Sequence, residues 1–101
     1  MLLSSKIYYI DVEVFSMRKI TFNDNKNIIS KQLKIARVKA GFTQGQLAAK
    51  MQLLSINLDQ QMISKIENNM RIVTDYELAC FCRVLQVTEK ELLKDYALYI
   101  L

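Results

Sequence analysis

Set on a helical wheel, the stretch around Gln60 to Met70 separates into two faces. Gln61, Ser64, Lys65 and Asn68 recur at i, i+3, i+4 and i+7, while Ile63, Ile66 and Met70 take the opposite side. The spacing predicts a helix over about 59–68 with one core face and one face of amide, hydroxyl and ammonium groups. Other apolar stripes share the period: Leu33, Ala36 and Ala40; Leu47, Ala48 and Met51; Leu78, Phe81, Cys82 and Leu85; Leu92 and Leu93. No stripe persists for three heptads, so the pattern predicts short helices in a compact bundle rather than a coiled coil. Toward the amino terminus the period drops to two. Within Lys6 to Phe15, Ile10, Val12 and Val14 alternate with Asp11 and Glu13, which reads as a strand. Arg18 to Phe22 reads as a shorter second strand, and Asn23-Asp24-Asn25 as a turn. At the far end Lys94 to Leu101 is too apolar for a solvated terminus and is expected to pack on the core or on a second subunit.

Punctuation between the stripes repeats. Phe42-Thr43-x-x-Gln46-Leu47, Val73-Thr74-x-x-Glu77-Leu78 and Val87-Thr88-x-x-Glu91-Leu92 each place an apolar residue before a threonine N-cap, then Gln or Glu at N3 and leucine at N4. Each is a capping box with a hydrophobic staple, which satisfies orphan amides and fixes the angle at which the chain enters the helix. Leu58-Asp59 with Ile63 gives a start without the N3 partner. Ser30 is expected to cap a first helix that Gly41 ends in the left-handed region. The expected architecture is therefore all-α, with five helices and an amino-terminal β-strand or hairpin arm. The expected divisions are an arm and linker over 1–28, a helical domain over 29–94 and an apolar tail over 95–101.

Composition narrows the chemistry. The chain has 101 residues, no proline and 51% hydrophobic content, enough for one folded domain with a modest core. Charge is unevenly spread: residues 30–73 hold seven Lys or Arg against two acids, a net +5, whereas residues 74–101 hold three against five, a net −2. A polyanion partner would face the first of these regions. There is no histidine, no Gly-rich phosphate loop and no Cys-x-x-Cys, so neither an enzyme active site, a metal site nor a cofactor is expected. No small-molecule ligand is evident. Cys80 and Cys82, two apart, diverge by about 200° on a helix and read as small apolar residues of a reduced protein. Met1-Leu2-Leu3 is too short for a signal peptide and no run reaches membrane-spanning length, so a cytoplasmic protein is expected.

The polar face at Gln61, Ser64, Lys65 and Asn68 suits base edges, because side-chain amides match donor–acceptor pairs in the major groove of double-stranded DNA. The individual lysines Lys31, Lys34 and Lys39 read as solvated. Residues from about Ser30 to Leu93 resemble the XRE-like helix-turn-helix regulators of the phage repressor and Cro type. The matching elements are Lys34-x-x-Arg37, Gly41-Phe42-Thr43-Gln44 leading to Leu47-Ala48, Ile63-Ser64-Lys65-Ile66-Glu67-Asn68, Val73-Thr74-Asp75-Tyr76-Glu77-Leu78, and Leu85-x-Val87-Thr88.

The resemblance implies a repressor-like helix-turn-helix fold and a sequence-specific transcriptional regulator, a repressor in the commonest case. Gln60, Gln61, Ser64 and Lys65 would read bases, while Thr43, Gln44, Asn68, Asn69 and Arg71 would hold phosphates. One such helix covers few base pairs, so a homodimer on a two-fold operator is expected, with the arm and the tail as dimer elements. Glu67 is out of place beside DNA and is expected to form a structural ion pair with Arg37. Two departures from the family pattern stand out. The Gln52 to Leu58 link is about five residues longer than the usual tight turn, and Asn69 stands where glycine is favoured. The competing expectation is a protein-interaction module, antitoxin-like or regulator-binding, that uses the strand and the tail.

Overall fold

Side-chain caps set most of the helix starts. A computed structural model describes residues 21–99. Thr43, Asp59, Thr74 and Thr88 each accept the backbone N–H three residues on, from Gln46, Met62, Glu77 and Glu91. The helices are α1 (Ser30–Lys39), α2 (Gln44–Leu53), α3 (Gln60–Glu67), α4 (Asp75–Leu85) and α5 (Glu89–Leu92), followed by a single helical turn, α6 (Tyr96–Tyr99). Reciprocal capping boxes close at Thr43 and Thr74. At Thr88 only half the box forms, because the Glu91 carboxylate accepts Lys94 Nζ at 3.1 Å instead. Ser30 is not a cap. It lies inside α1, the N-cap position falls to Ile29, and Asn27 Oδ1 takes the Ile29 N–H at 3.1 Å.

Helix ends follow one rule as well. Gly41, Ser55, Asn69 and Gln86 adopt φ values of +79°, +63°, +60° and +56° just past α1, α2, α3 and α4. The next residue in each case donates its N–H back to the last turn: Phe42 to Arg37 O, Ile56 to Met51 O, Met70 to Lys65 O and Val87 to Cys82 O. These are Schellman closures, and three of the four use a residue with a Cβ where glycine would be unstrained.

The core takes Leu33 from α1, Leu47 and Met51 from α2, Ile63 and Ile66 from α3, Phe81 from α4 and Leu92 from α5, all fully buried. Two expected core residues are exposed. Ala40 is the C-cap of α1, beyond the last turn that meets the core, and Met70 follows left-handed Asn69, which redirects the chain off the α3 axis. Leu54 to Asp59 join α2 to α3. Within them Leu58 is fully buried and its carbonyl accepts Gln52 Nε2 at 3.0 Å, so the long link is anchored at the point where α3 begins. Helix α3 packs chiefly on α2 and also on α1, and α4 lies against α2 and α5.

Ahead of α1, Phe22 and Asn25 exchange both backbone hydrogen bonds at 2.7 and 2.8 Å around Asn23 and Asp24, each at positive φ. This is a two-residue hairpin turn of the mirror type that Asn and Asp favour. Apart from this isolated bridge, no strand forms among the described residues. The expected strand at Lys6 to Phe15 lies outside them, as does most of the second. Among the tail's described residues, Tyr96 is half-exposed and Leu98 is 73% exposed. Its polar contacts there include Gln32 Nε2 to Asp95 Oδ2 at 2.7 Å and the Asn23 amide donating to the Tyr99 carbonyl. No helix among the described residues is long and apolar enough to cross a membrane.

Candidate nucleic-acid interface

Helix α3 has the two faces that its sequence dictates. Ile63 and Ile66 are fully buried, while Gln60, Gln61 and Lys65 are exposed and Ser64 is half-buried. The side chains of Gln60, Gln61 and Lys65 have no hydrogen-bond or ion-pair partner among the described residues, so their donors and acceptors face outward. Ser64 and Asn68 are joined one turn apart: Asn68 Nδ2 donates to the Ser64 carbonyl at 2.8 Å and approaches its hydroxyl at 3.4 Å.

The amino ends of α2 and α3 meet. A Cβ built on Gly45 would stand 3.6 Å from Gln60 Oε1 and 4.0 Å from Thr43 Oγ1, so these three residues share one corner of the surface. The side-chain cap of Thr43 goes to the Gln46 amide, leaving the N–H groups of Gln44 and Gly45 as open ends of the helix, where the dipole favours an anion. The Gln44 side chain turns inward. Its Nε2 donates to Glu67 Oε1 at 3.1 Å, so at this end of α2 the group of Gln44 that stays open is its backbone N–H rather than its side-chain amide.

Glu67 gathers the site from below. Arg37 Nε and Nη2 donate to its two oxygens at 2.6 and 3.0 Å, and Arg37 Nη1 donates to the Phe42 carbonyl at 2.9 Å. One guanidinium thereby ties α1, the turn before α2 and the end of α3 together. The hydrogen bonds that Arg37 donates to Glu67 raise its pKa above the ordinary value, and the Glu67 charge adds to this, outweighing the opposing effect of burial. The acid that looked foreign beside DNA is neutralised within the protein.

Two residues expected at phosphates are committed elsewhere. Asn69 Oδ1 accepts the N–H groups of Lys26 and Asn27 at 2.9 and 3.1 Å, and its amide donates to Asn25 Oδ1. Arg71 donates from Nη1 and Nη2 to the two Glu77 oxygens at 3.0 and 3.2 Å, and from Nη1 to the Ile72 carbonyl. Glu77 is also the capping-box acceptor for the Thr74 N–H at 2.9 Å. Burial would raise the Glu77 pKa, but hydrogen bonds from Arg71 and Thr74 and the Arg71 charge outweigh it and hold the carboxyl below its ordinary value. The local sequence gives Glu77 only a capping role. The further signal was Arg71, six residues back across the chain reversal that begins at Asn69.

The cysteines are free thiols, Cys82 buried and Cys80 partly so. Burial, together with the Glu89 charge, pushes the Cys82 thiol up to about 11, which suits an unreactive core residue. Among the described residues no cluster of His, Cys, Asp or Glu is arranged to hold a metal ion.

Caps, turn and polar helix face together make a helix-turn-helix unit, with α2 as its first helix and α3 as its second. The sequence profile of the Helix-turn-helix family matches residues 33–92, from within α1 to the end of α5, and the chain belongs to this family in its XRE-like form. Its domain is a DNA-binding domain of transcription regulators. No curated protein and no solved structure matches the chain.

Proposed function

We propose that this protein is a sequence-specific repressor that inserts α3 into the major groove of DNA as a homodimer on a two-fold operator. The observation that carries the reading is the outward polar face of α3. Gln60, Gln61 and Lys65 are exposed without internal partners, on a helix whose other face is fully buried. Gln61 supplies a bidentate amide for adenine, Lys65 a donor for guanine, and Gln60 and Ser64 flank them. The open amides of Gln44 and Gly45, with the Thr43 hydroxyl and Asn68, hold phosphates and set the register. Asn69 and Arg71 leave the phosphate set: Arg71 is paired with the Glu77 carboxylate, and half-buried Asn69 gives both ends of its amide to the linker, whereas Asn68 is exposed.

Selection of bound fragments from random duplexes is the direct test, and the expected result is enrichment of one palindrome. On that duplex Gln61→Ala loses about 1–3 kcal/mol and relaxes preference at one base pair, with little change on random DNA. Equal loss on every duplex would mean that Gln61 does not read a base. Binding without any preferred sequence would favour the interaction-module reading instead.

The dimer is supported by surface that a monomer leaves open. An apolar groove of about 480 Å³ runs between the linker ahead of α1 and Val73, Leu78, Leu93 and Tyr96, and Phe22 and Tyr96 on its walls are about half-exposed. Sedimentation is expected to give a dimer that Tyr96→Glu weakens. A full chain that stays monomeric at about 100 μM, far above the affinity range of specific dimers, rules the dimer out.

A further inference from the structure

Helix α3 has eight residues, too few to hold its own conformation or direction without outside contacts. Its amino end meets α2 and its middle is buried, but its carboxyl end is gripped by a segment of the chain about 40 residues away. Asn27, 8% exposed, donates from Nδ2 to the Ile66 carbonyl at 3.0 Å and to the Arg71 carbonyl at 2.9 Å, while its Oδ1 accepts the Ile29 N–H. Both amide hydrogens and the carbonyl oxygen are thus engaged. Ile66 lies in the last turn of α3 and Arg71 lies beyond the left-handed residue, so one side chain bridges the whole chain reversal. Asn69, at the apex of that reversal, returns the grip by accepting the N–H groups of Lys26 and Asn27.

We infer that Asn27 and Asn69 form a latch that aims α3, making Asn27 a positioning residue for base readout although it lies on the linker before α1. The inference rests on the DNA-reading role of α3 proposed above. Its physical basis is that a reading side chain works only within about 0.5 Å and 10–20° of the productive geometry. A two-turn helix pivots about its buried centre unless its end is fixed; Arg37 holds that end through the Glu67 side chain, and the latch holds its backbone, at the Ile66 carbonyl and across the reversal. The latch also accounts for asparagine at position 69. Glycine would relieve the left-handed backbone but would remove the acceptor on which two linker amides depend.

The test compares Asn27→Ala, Asn69→Gly and Gln86→Gly in the full chain. The last makes the same kind of backbone change at the end of α4, away from the latch. Affinity is measured for the duplex that the wild-type chain enriches and for a scrambled duplex, at a temperature where melting curves show every variant folded. Asn27→Ala and Asn69→Gly are expected to lose about tenfold on the enriched duplex, the size of one base contact, and little on the scrambled one. Gln86→Gly is expected to behave as wild type. A merely structural role would move both duplexes together or neither, and either result overturns the latch. Amide hydrogen exchange at Ile66 to Asn68 gives a readout that needs no DNA: exchange is expected to quicken in Asn27→Ala and Asn69→Gly and to stay unchanged in Gln86→Gly. If the wild-type chain enriches no sequence, the DNA reading fails by itself and the exchange rates decide whether the latch holds α3; unchanged rates refute it.

Discussion

Glu67→Ala is expected to lower the stability of this domain by about 3–5 kcal/mol, the range for breaking a buried ion pair from one side. The side chains of Arg37 and Glu67 are 11% and 2% exposed, so removing the carboxylate strands a guanidinium that water barely reaches. It also deprives the Gln44 amide of its acceptor. Arg37→Met combined with Glu67→Leu should recover much of the loss, because two apolar residues of similar volume leave no charge stranded. Urea unfolding of the wild type, Arg37→Met, Glu67→Leu and the double variant gives the coupling directly. A single-variant cost within about 1 kcal/mol, the range of a solvated pair, would contradict the burial on which this expectation stands.

Arg71→Ala comes next, at about 3 kcal/mol, because it leaves the buried Glu77 carboxylate without its cation. This result separates two roles. A phosphate ligand would flatten the salt dependence of DNA binding by about one unit of log–log slope when removed. Arg71 is already neutralised by Glu77, so its loss should appear in unfolding and leave the slope nearly unchanged.

The pair also sets an acid limit. The folded Glu77 carboxyl lies below its ordinary value of about 4.5, so its stabilising contribution is full above that value and is lost as pH falls through the lower folded pKa. Glu77→Gln should therefore be less stable at neutral pH, with the deficit closing as the medium is acidified below the ordinary carboxylate range. A deficit that stays constant through this range would place the carboxylate in water.

The helices were legible because their signals are local. A threonine with Gln or Glu three residues on, or a stripe at helical spacing, needs no knowledge of the rest of the chain, and Thr43 and Thr74 close the boxes that such signals require. The polar face of α3 was legible for the same reason. What escaped depends on contacts between distant residues. Asn27 looks like any linker asparagine until Ile66 and Arg71 come within reach of its amide. Ser30 has the right chemistry for a cap, but the chain enters α1 one residue too early for it to act. Arg71 and Asn69 carry groups that suit phosphate, and only the fold reveals that Glu77 and the linker amides take them first.

Three helix ends close on Ser55, Asn69 and Gln86 in a region where a Cβ costs about 1–2 kcal/mol, and glycine does this work only once, at Gly41. At Asn69 the cost is tied to a side chain with work to do, whereas at Ser55 and Gln86 no side-chain hydrogen bond within the described residues accompanies the strain. Those two positions are an unspent mutational reserve. Every substitution that costs stability draws on the same margin, and a protein near its stability threshold tolerates few of them. Single changes to glycine at the ends of α2 or α4, both outside α3, would raise that tolerance, so a lineage could first relax a helix end and then, on the function proposed above, vary the outward face of α3.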